Sequence, residues 1–240
     1  MIPCLETYPS EVYDLHMSNR TENVSDGWQP EPRWHVLIAV SAVAGLYFAL
    51  PHDLIVGPRW LFPLIVFALL VPTFIMHAKK YHQIERILGF ALSIVLTLGM
   101  IVSVIQMIRA LPEIKSATLL LTSAGLLWFT NVIVFALWYW RLDAGGPHRR
   151  EKRAGHPDGS FLFPQMTMPP EAKTNANQTD WSPNFIDYVF LAFNTSTAFS
   201  PTDAPVLARW AKVLMMLQSI ISLTVIALLA ARAVNILSQS

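Results

Sequence analysis

Five stretches of this sequence contain no charged residue and are almost entirely apolar. They cover residues 34–51, 60–76, 87–108, 117–140 and 213–231, and charged residues lie at or near their ends. A helix needs about 20 apolar residues to cross the hydrocarbon core of a bilayer. A water-soluble helix of that length would carry charged residues on its outer face. The pattern therefore predicts an all-α integral membrane protein with five transmembrane helices.

The overall composition supports this class of protein. The chain is 53% hydrophobic and 14% charged, whereas soluble domains carry about 25% charged residues. A single cysteine, Cys4, excludes an intramolecular disulfide and a multi-cysteine metal site. No stretch combines basic and aromatic residues as a nucleic-acid-binding face does. We therefore expect the chain to contact the lipid bilayer and not nucleic acid.

The sequence lacks the common catalytic motifs. It contains no HExxH, no GxSxG and no Walker-type phosphate loop. These motifs place nucleophiles, metal ligands or phosphate-binding amides at fixed spacing. We therefore predict that the protein is not an enzyme and that it binds neither an organic cofactor nor a metal ion.

The polar segments divide the chain into an N-terminal tail and one membrane domain with a long loop. Residues 1–33 are a polar, acidic N-terminal tail, and residues 34–240 are predicted to form a single membrane domain. A loop of about 40 residues follows the fourth span, at 141–183. Loops of this length are usually either functional or disordered, and the sequence leaves both alternatives open. Its apolar stretch FLFPQM, residues 161–166, is predicted to lie at the membrane interface.

One apolar stretch is not a full span. Residues 184–203, NFIDYVFLAFNTSTAFSPTD, are too apolar for an ordinary loop and too short to cross the bilayer and return. Their second half is rich in hydroxyl side chains. Irregular backbone at membrane depth is tolerated only where protein or a water-filled cavity covers it. We therefore predict a re-entrant pore-type helix in this stretch.

The ends of the re-entrant segment have different chemistry. Ser182 and Pro183 are suitable residues for a helix start, and Asp187 in the first turn would complement the helix dipole. The helix carbonyls at the other end would favour a cation near the membrane centre. The candidate pore or filter residues at that end are Thr195, Ser196, Thr197, Ser200, Thr202 and Asp203.

These side chains also have an ordinary structural explanation. Hydroxyls in membrane helices often bond to the backbone or to neighbouring helices, and Asp203 could cap the last helix. On that helix Gln218, Ser219 and Ser222 lie close together, and they would line either an inner cavity or a helix contact. Asn131, inside the fourth span, is predicted to form a hydrogen bond between helices.

Residues 181–236 resemble the pore module of the potassium-channel superfamily. The sequence FIDY at 185–188 resembles the start of the pore helix, and 195–203 align with the filter so that Asp203 matches its final acid. The following helix is similar to the inner helix, and 131–140 are similar to the outer helix. The resemblance implies a homotetramer in which each chain contributes one pore helix to a central axis.

The filter departs from that family's pattern. A potassium filter is a ring of backbone carbonyls, and its glycines allow the required backbone angles. Here Ser200 and Thr202 occupy the glycine positions, and Pro201, with its fixed φ, replaces the tyrosine. The sequence therefore predicts a degenerate filter that is not potassium-selective.

Two hypotheses of function follow. The first is a channel-like protein whose oligomer forms a weakly selective pore for small cations. The alternative is a non-conducting structural or interaction protein that keeps the pore hairpin as a packing module. A transporter is disfavoured because the sequence lacks the internal inverted repeat of that class.

The chain also resembles a family of uncharacterised bacterial membrane proteins with about five predicted helices, which implies the inner membrane of a bacterium. Its orientation there has two conflicting indicators. Most loop Lys and Arg residues belong to the tail, to 77–86 and to 141–212, so the positive-inside rule places these segments in the cytoplasm. The potassium-channel resemblance implies the opposite direction. We favour the charge count.

Overall fold

The computed structural model describes residues 31, 33–112, 116–151, 156, 159–178, 181–199 and 204–237. The predicted filter residues Ser200, Thr202 and Asp203 lie outside these residues, as do Cys4 and nearly all of the acidic tail.

All regular structure in the described residues is helical, apart from one isolated β-bridge. The long helices are α1 (Trp34–Ala49), α2 (Leu61–Ala78), α3 (His82–Ala110) and α4 (Ala117–Leu142). Three short helices follow, α5 (Pro147–Arg150), α6 (Pro164–Thr167) and α7 (Pro170–Asn175). The chain ends with α8 (Phe185–Ala198) and α9 (Arg209–Leu237), and single 3-10 turns lie at His52–Leu54 and Asp143–Gly145.

Four helices are long and apolar enough to cross a membrane. They are α2, α3, α4 and α9, with mean hydropathies of 2.2, 2.5, 1.9 and 2.4 over 18-residue windows. The predicted all-α membrane class is therefore confirmed, and four of the five predicted spans coincide with helices that could cross a membrane. The fifth, α1, is an apolar helix of 16 residues, about 24 Å long. The chain is a helical integral membrane protein.

Helices α1 to α4 alternate in direction. Arg33, before α1, pairs with Glu85 in the first turn of α3, and its guanidinium lies 5.6 Å from the ring of Trp140 at the end of α4. At the opposite end the rings of Tyr47 and Phe62 stack 4.2 Å apart. We call the end of the bundle that holds Arg33, Glu85 and Trp140 the charged end.

The sides of the bundle are apolar. Leu64, Phe67, Val71 and Phe74 recur on one face of α2 at helical spacing, and between 42% and 55% of each is exposed. Contiguous apolar surface of this kind is rare on soluble monomers. The hydrocarbon of a bilayer is the environment in which such a face is stable.

The long loop packs against the charged end. Phe161 and Phe163, which the sequence predicted at the membrane interface, are buried. The ring of Phe161 contacts those of Tyr139 and Trp210, and the residue forms a β-bridge with Val206. The position of this stretch at the membrane interface stays a prediction, but both rings face protein because the loop folds back onto the helix ends.

We predict that Gly99→Ala destabilises the protein by about 1–3 kcal/mol, as overpacking of a core does. A Cβ at Gly99 would lie 2.2 Å from Cε2 of Phe62, so either this ring or the two helices α2 and α3 would have to shift. Unfolding in mixed micelles measures the change. Gly125→Ala is the control, because no heavy atom lies within 4 Å of its added Cβ; equal destabilisation by both substitutions would contradict the contact.

Candidate functional site

Helix α8 occupies about half the length of the bundle, between α4 and α9. Phe185 contacts Trp140 at the charged end, and Phe193 contacts Trp128, near the middle of α4. At Val206 the chain has returned to the charged end, where this residue forms the β-bridge with Phe161. The segment therefore begins and ends at the charged end, and α8 ends deep in the bundle.

The start of α8 is capped by side chains. Asn184 is the N-cap, and its Oδ1 accepts a hydrogen bond of 2.8 Å from the Ile186 amide. Asp187 Oδ2 accepts one of 2.8 Å from the Asn184 amide, which completes a capping box. The predicted place of Asp187 in the first turn is confirmed. The predicted start at Ser182 and Pro183 was wrong by two residues, because Asn184 caps the helix.

A buried amide joins three helices. Gln218 on α9 is 0% exposed, and its Nε2 donates to the Ala192 carbonyl at 2.7 Å and to Ser196 Oγ at 2.8 Å, both on α8. Its Oε1 accepts a bond of 2.5 Å from the Tyr139 hydroxyl on α4. Both donors and the acceptor of the amide are thus used within the chain.

A second polar contact lies one helical turn deeper. Asn131 Nδ2 donates to Ser222 Oγ at 2.7 Å and to the Gln218 carbonyl at 3.2 Å. This confirms the predicted hydrogen bond between helices at Asn131. Ser219 Oγ donates to the Thr195 carbonyl at 3.4 Å. Together with the Gln218 amide, these bonds form what we call the Gln218 network.

The structure brings most of the described candidate residues together. Ser196, Gln218, Ser219 and Ser222 belong to the Gln218 network. Thr195 is buried beside it, and its hydroxyl donates to the Leu191 carbonyl at 2.8 Å. Thr197 is exposed, with its hydroxyl bonded to the Phe193 carbonyl. A role of these residues in ion passage stays a prediction.

A second buried polar site lies at the charged end, and the sequence analysis did not predict it. Asp143, after α4, is 0% exposed. Its Oδ2 accepts hydrogen bonds from the Tyr188 hydroxyl at 2.6 Å and from His156 Nε2 at 2.8 Å. Its Oδ1 accepts one of 2.5 Å from the Ser160 amide. The carboxylate thus ties the first turn of α8 to the long loop.

Arg150 completes what we call the Asp143 cluster, which comprises Asp143, Arg150, His156, Ser160 and Tyr188. Its Nη1 donates to the carbonyls of Trp140 and Asp143 at 2.8 and 3.0 Å, so the guanidinium caps the C-terminal end of α4. Its Nη2 donates to Glu31 at 3.2 Å, and its guanidinium lies 5.1 Å from the ring of Tyr188. Burial raises the pKa of the Glu31 carboxyl, and the nearby charge of Arg150 opposes that shift.

Comparison with family models, with curated proteins and with solved structures finds no match to this chain. Within the described ranges, no group of three or more His, Cys, Asp or Glu residues is placed to hold a metal ion. The four long apolar helices place the chain in the class of helical membrane proteins.

We predict that Gln218→Leu lowers the free energy of unfolding by about 2 kcal/mol, because three hydrogen bonds of about 0.6 kcal/mol each are lost in the membrane. Gln106→Leu is the matched control, since Gln106 only contacts Arg109 at 3.5 Å on an exposed surface. Reversible unfolding in mixed micelles measures both. If the two variants lose the same stability, the Gln218 network does not hold α8.

We predict that Tyr188→Phe costs about 1.5–3 kcal/mol, the usual range for a hydrogen bond to a charged group, because Asp143 loses a buried donor. Tyr81→Phe is the control, since Tyr81 is 58% exposed. The same unfolding measurement applies. An unchanged stability of the Tyr188 variant would show that Asp143 does not anchor α8.

Proposed function

We propose that this protein forms a channel-like pore as an oligomer, with α8 as a re-entrant pore helix and α9 as the inner helix. One observation carries the proposal. Helix α8 starts beside Trp140 at the charged end and reaches Trp128, and Val206 is again at the charged end beside Phe161. Irregular backbone after a half-length helix is tolerated at membrane depth only where protein or a water-filled cavity covers it, and such a cavity would be the ion pathway.

The neighbours of α8 support the same proposal. Helices α4 and α9 run antiparallel on either side of it, joined by Asn131 and Ser222. This order of outer helix, half helix and inner helix agrees with the resemblance in the sequence. The Gln218 network and the Asp143 cluster hold α8 at two levels, as a fixed pore helix needs.

The end of α8 has the chemistry for a small cation. The backbone leaves the helix at Phe199, whose φ of 54° is left-handed. The last helical carbonyls carry partial negative charge and have no partner within the helix. Ser200, Thr202 and Asp203 follow directly in the sequence. Without glycines in this turn, we expect weak selection among cations and not a potassium filter.

One chain cannot enclose a pathway with a single hairpin, so the proposal requires several copies, and the resemblance implies four. An exposed apolar face of α9 is available for contacts between copies or with lipid. It comprises Val213, Met216, Leu217, Ile220 and Leu223. If this face surrounds the axis, the inner pore is hydrophobic and closes by losing water.

The second candidate function is a non-conducting packing module. It is favoured by the way in which Gln218 and Ser222 use their polar groups inside the chain. Polar side chains that bond between helices stabilise a bundle without any pore. In that case the protein would be a structural or interaction protein of its membrane. The oligomeric state distinguishes the two, because a packing module needs no second copy.

Flux through reconstituted liposomes tests the channel. We expect cation flux in the parent protein, and we expect Asp203→Asn to lower it about twofold to fivefold, the effect of losing one partly solvated charge. Asp53→Asn, at an exposed turn of the opposite end, is the matched control and should leave flux unchanged. Absence of Na⁺, K⁺ and Cl⁻ flux at all voltages would refute the channel and leave the packing module.

A further inference from the structure

A cavity separate from α8 lies at the charged end, between α1, α2 and the adjoining ends of α3 and α4. Its volume is about 40 Å³, whereas one water needs about 10–15 Å³, so it has room for a group the size of a phosphate. Phe74, which is 50% exposed, lies on its wall. The cavity therefore reaches the surface of the protein.

The two arginines at this cavity differ in their ion pairs. Arg33 is paired with Glu85 and with Glu151, the latter at 3.1 Å. Arg141 also lines the cavity, but among the described residues it forms no ion pair, and its Nε is buried without a hydrogen-bond partner. Glu85 also lines the cavity, but it pairs with Arg33, so the Arg141 guanidinium can form an ion pair with a negatively charged ligand.

Arg141 is held in place by the surrounding helices. Its guanidinium lies 5.4 Å from the ring of Trp140. It also fills the space above Gly89 on α3, where an added Cβ would lie 1.8 Å from Nη1. A long cationic side chain near a helix end usually extends toward water. Here Gly89 leaves room for the guanidinium between the helices. The cation is therefore already in position before an anion binds.

The opposite wall of the cavity is apolar. Val36 on α1 and Leu70 and Phe74 on α2 form it. The exposed aromatic residues Trp34 and Tyr81 lie at the same end, and such residues mark the level of the lipid headgroups. A soluble anion would lose hydration against this wall, whereas an amphiphile would bury its hydrocarbon there.

We propose that this cavity binds an anionic phospholipid of the surrounding leaflet. Arg141 binds the phosphate, with a bidentate geometry that a guanidinium allows, and the first part of one acyl chain lies along Val36, Leu70 and Phe74. Basic pockets between transmembrane helices bind anionic headgroups in this way. The site is independent of the proposed pore, because it involves neither α8 nor α9.

Native mass spectrometry of the delipidated full-length protein tests the site. Phosphatidylglycerol, phosphatidylcholine and glycerol phosphate are added separately, and the bound fraction is measured. We expect one phosphatidylglycerol to bind about five- to tenfold more tightly than phosphatidylcholine, and glycerol phosphate not to bind. Equal binding of the two lipids would refute the site, and equal binding of glycerol phosphate would show a site for soluble anions instead.

Two substitutions in the cavity and one control outside it test where the lipid binds. Arg141→Gln should abolish the preference for the anionic lipid, whereas Arg209→Gln should keep it, because Arg209 is an exposed cation outside the cavity. Leu37→Trp fills the cavity from α1 while all charges remain, and it should remove the tightly bound lipid. Retention of the preference in Leu37→Trp overturns the proposal, even if Arg141→Gln does not fold.

Discussion

The buried amide of Gln218 is the interaction on which the arrangement of the last three long elements depends. In hydrocarbon, an amide that lost its partners would find no water to replace them. The three bonds to Tyr139, Ala192 and Ser196 therefore fix the distances among α4, α8 and α9 together. Apolar contacts alone would allow these helices to rotate or slide, because lipid tails compete with them equally well.

The Asp143 cluster acts on the other half of α8. Tyr188 lies two turns before Ser196 on the same helix, so α8 is held near both ends by hydrogen bonds to different parts of the chain. The long loop is part of this support, since Ser160 and His156 provide two of the donors to Asp143. The half helix is therefore positioned by the loop and by the bundle at once.

The sequence revealed the parts of this arrangement that follow from composition and spacing. Charge-free blocks predicted five spans, four of which are helices long and apolar enough to cross a membrane, and Asn131, a strongly polar residue inside such a block, predicted a bond between helices. The role of Asp143 could not be predicted, because its donors come from residues 13, 17 and 45 positions away and nothing local distinguishes it from other loop acids. The burial of Phe161 in protein could not be predicted, because burial in protein and insertion at the interface both remove an aromatic ring from water.

The short first helix has a consequence for the membrane itself. Helix α1 is about 24 Å long, whereas α3, with 29 residues, is about 43 Å long, and the hydrocarbon core is about 30 Å thick. The charge-free part of α3, residues 87–108, is only about 33 Å long and matches this thickness, so if α1 crosses the same bilayer, the lipid beside α1 has to become thinner. Hydrophobic mismatch of this kind favours thin membranes, and it concentrates the deformation on the side of the bundle where α1 meets α2.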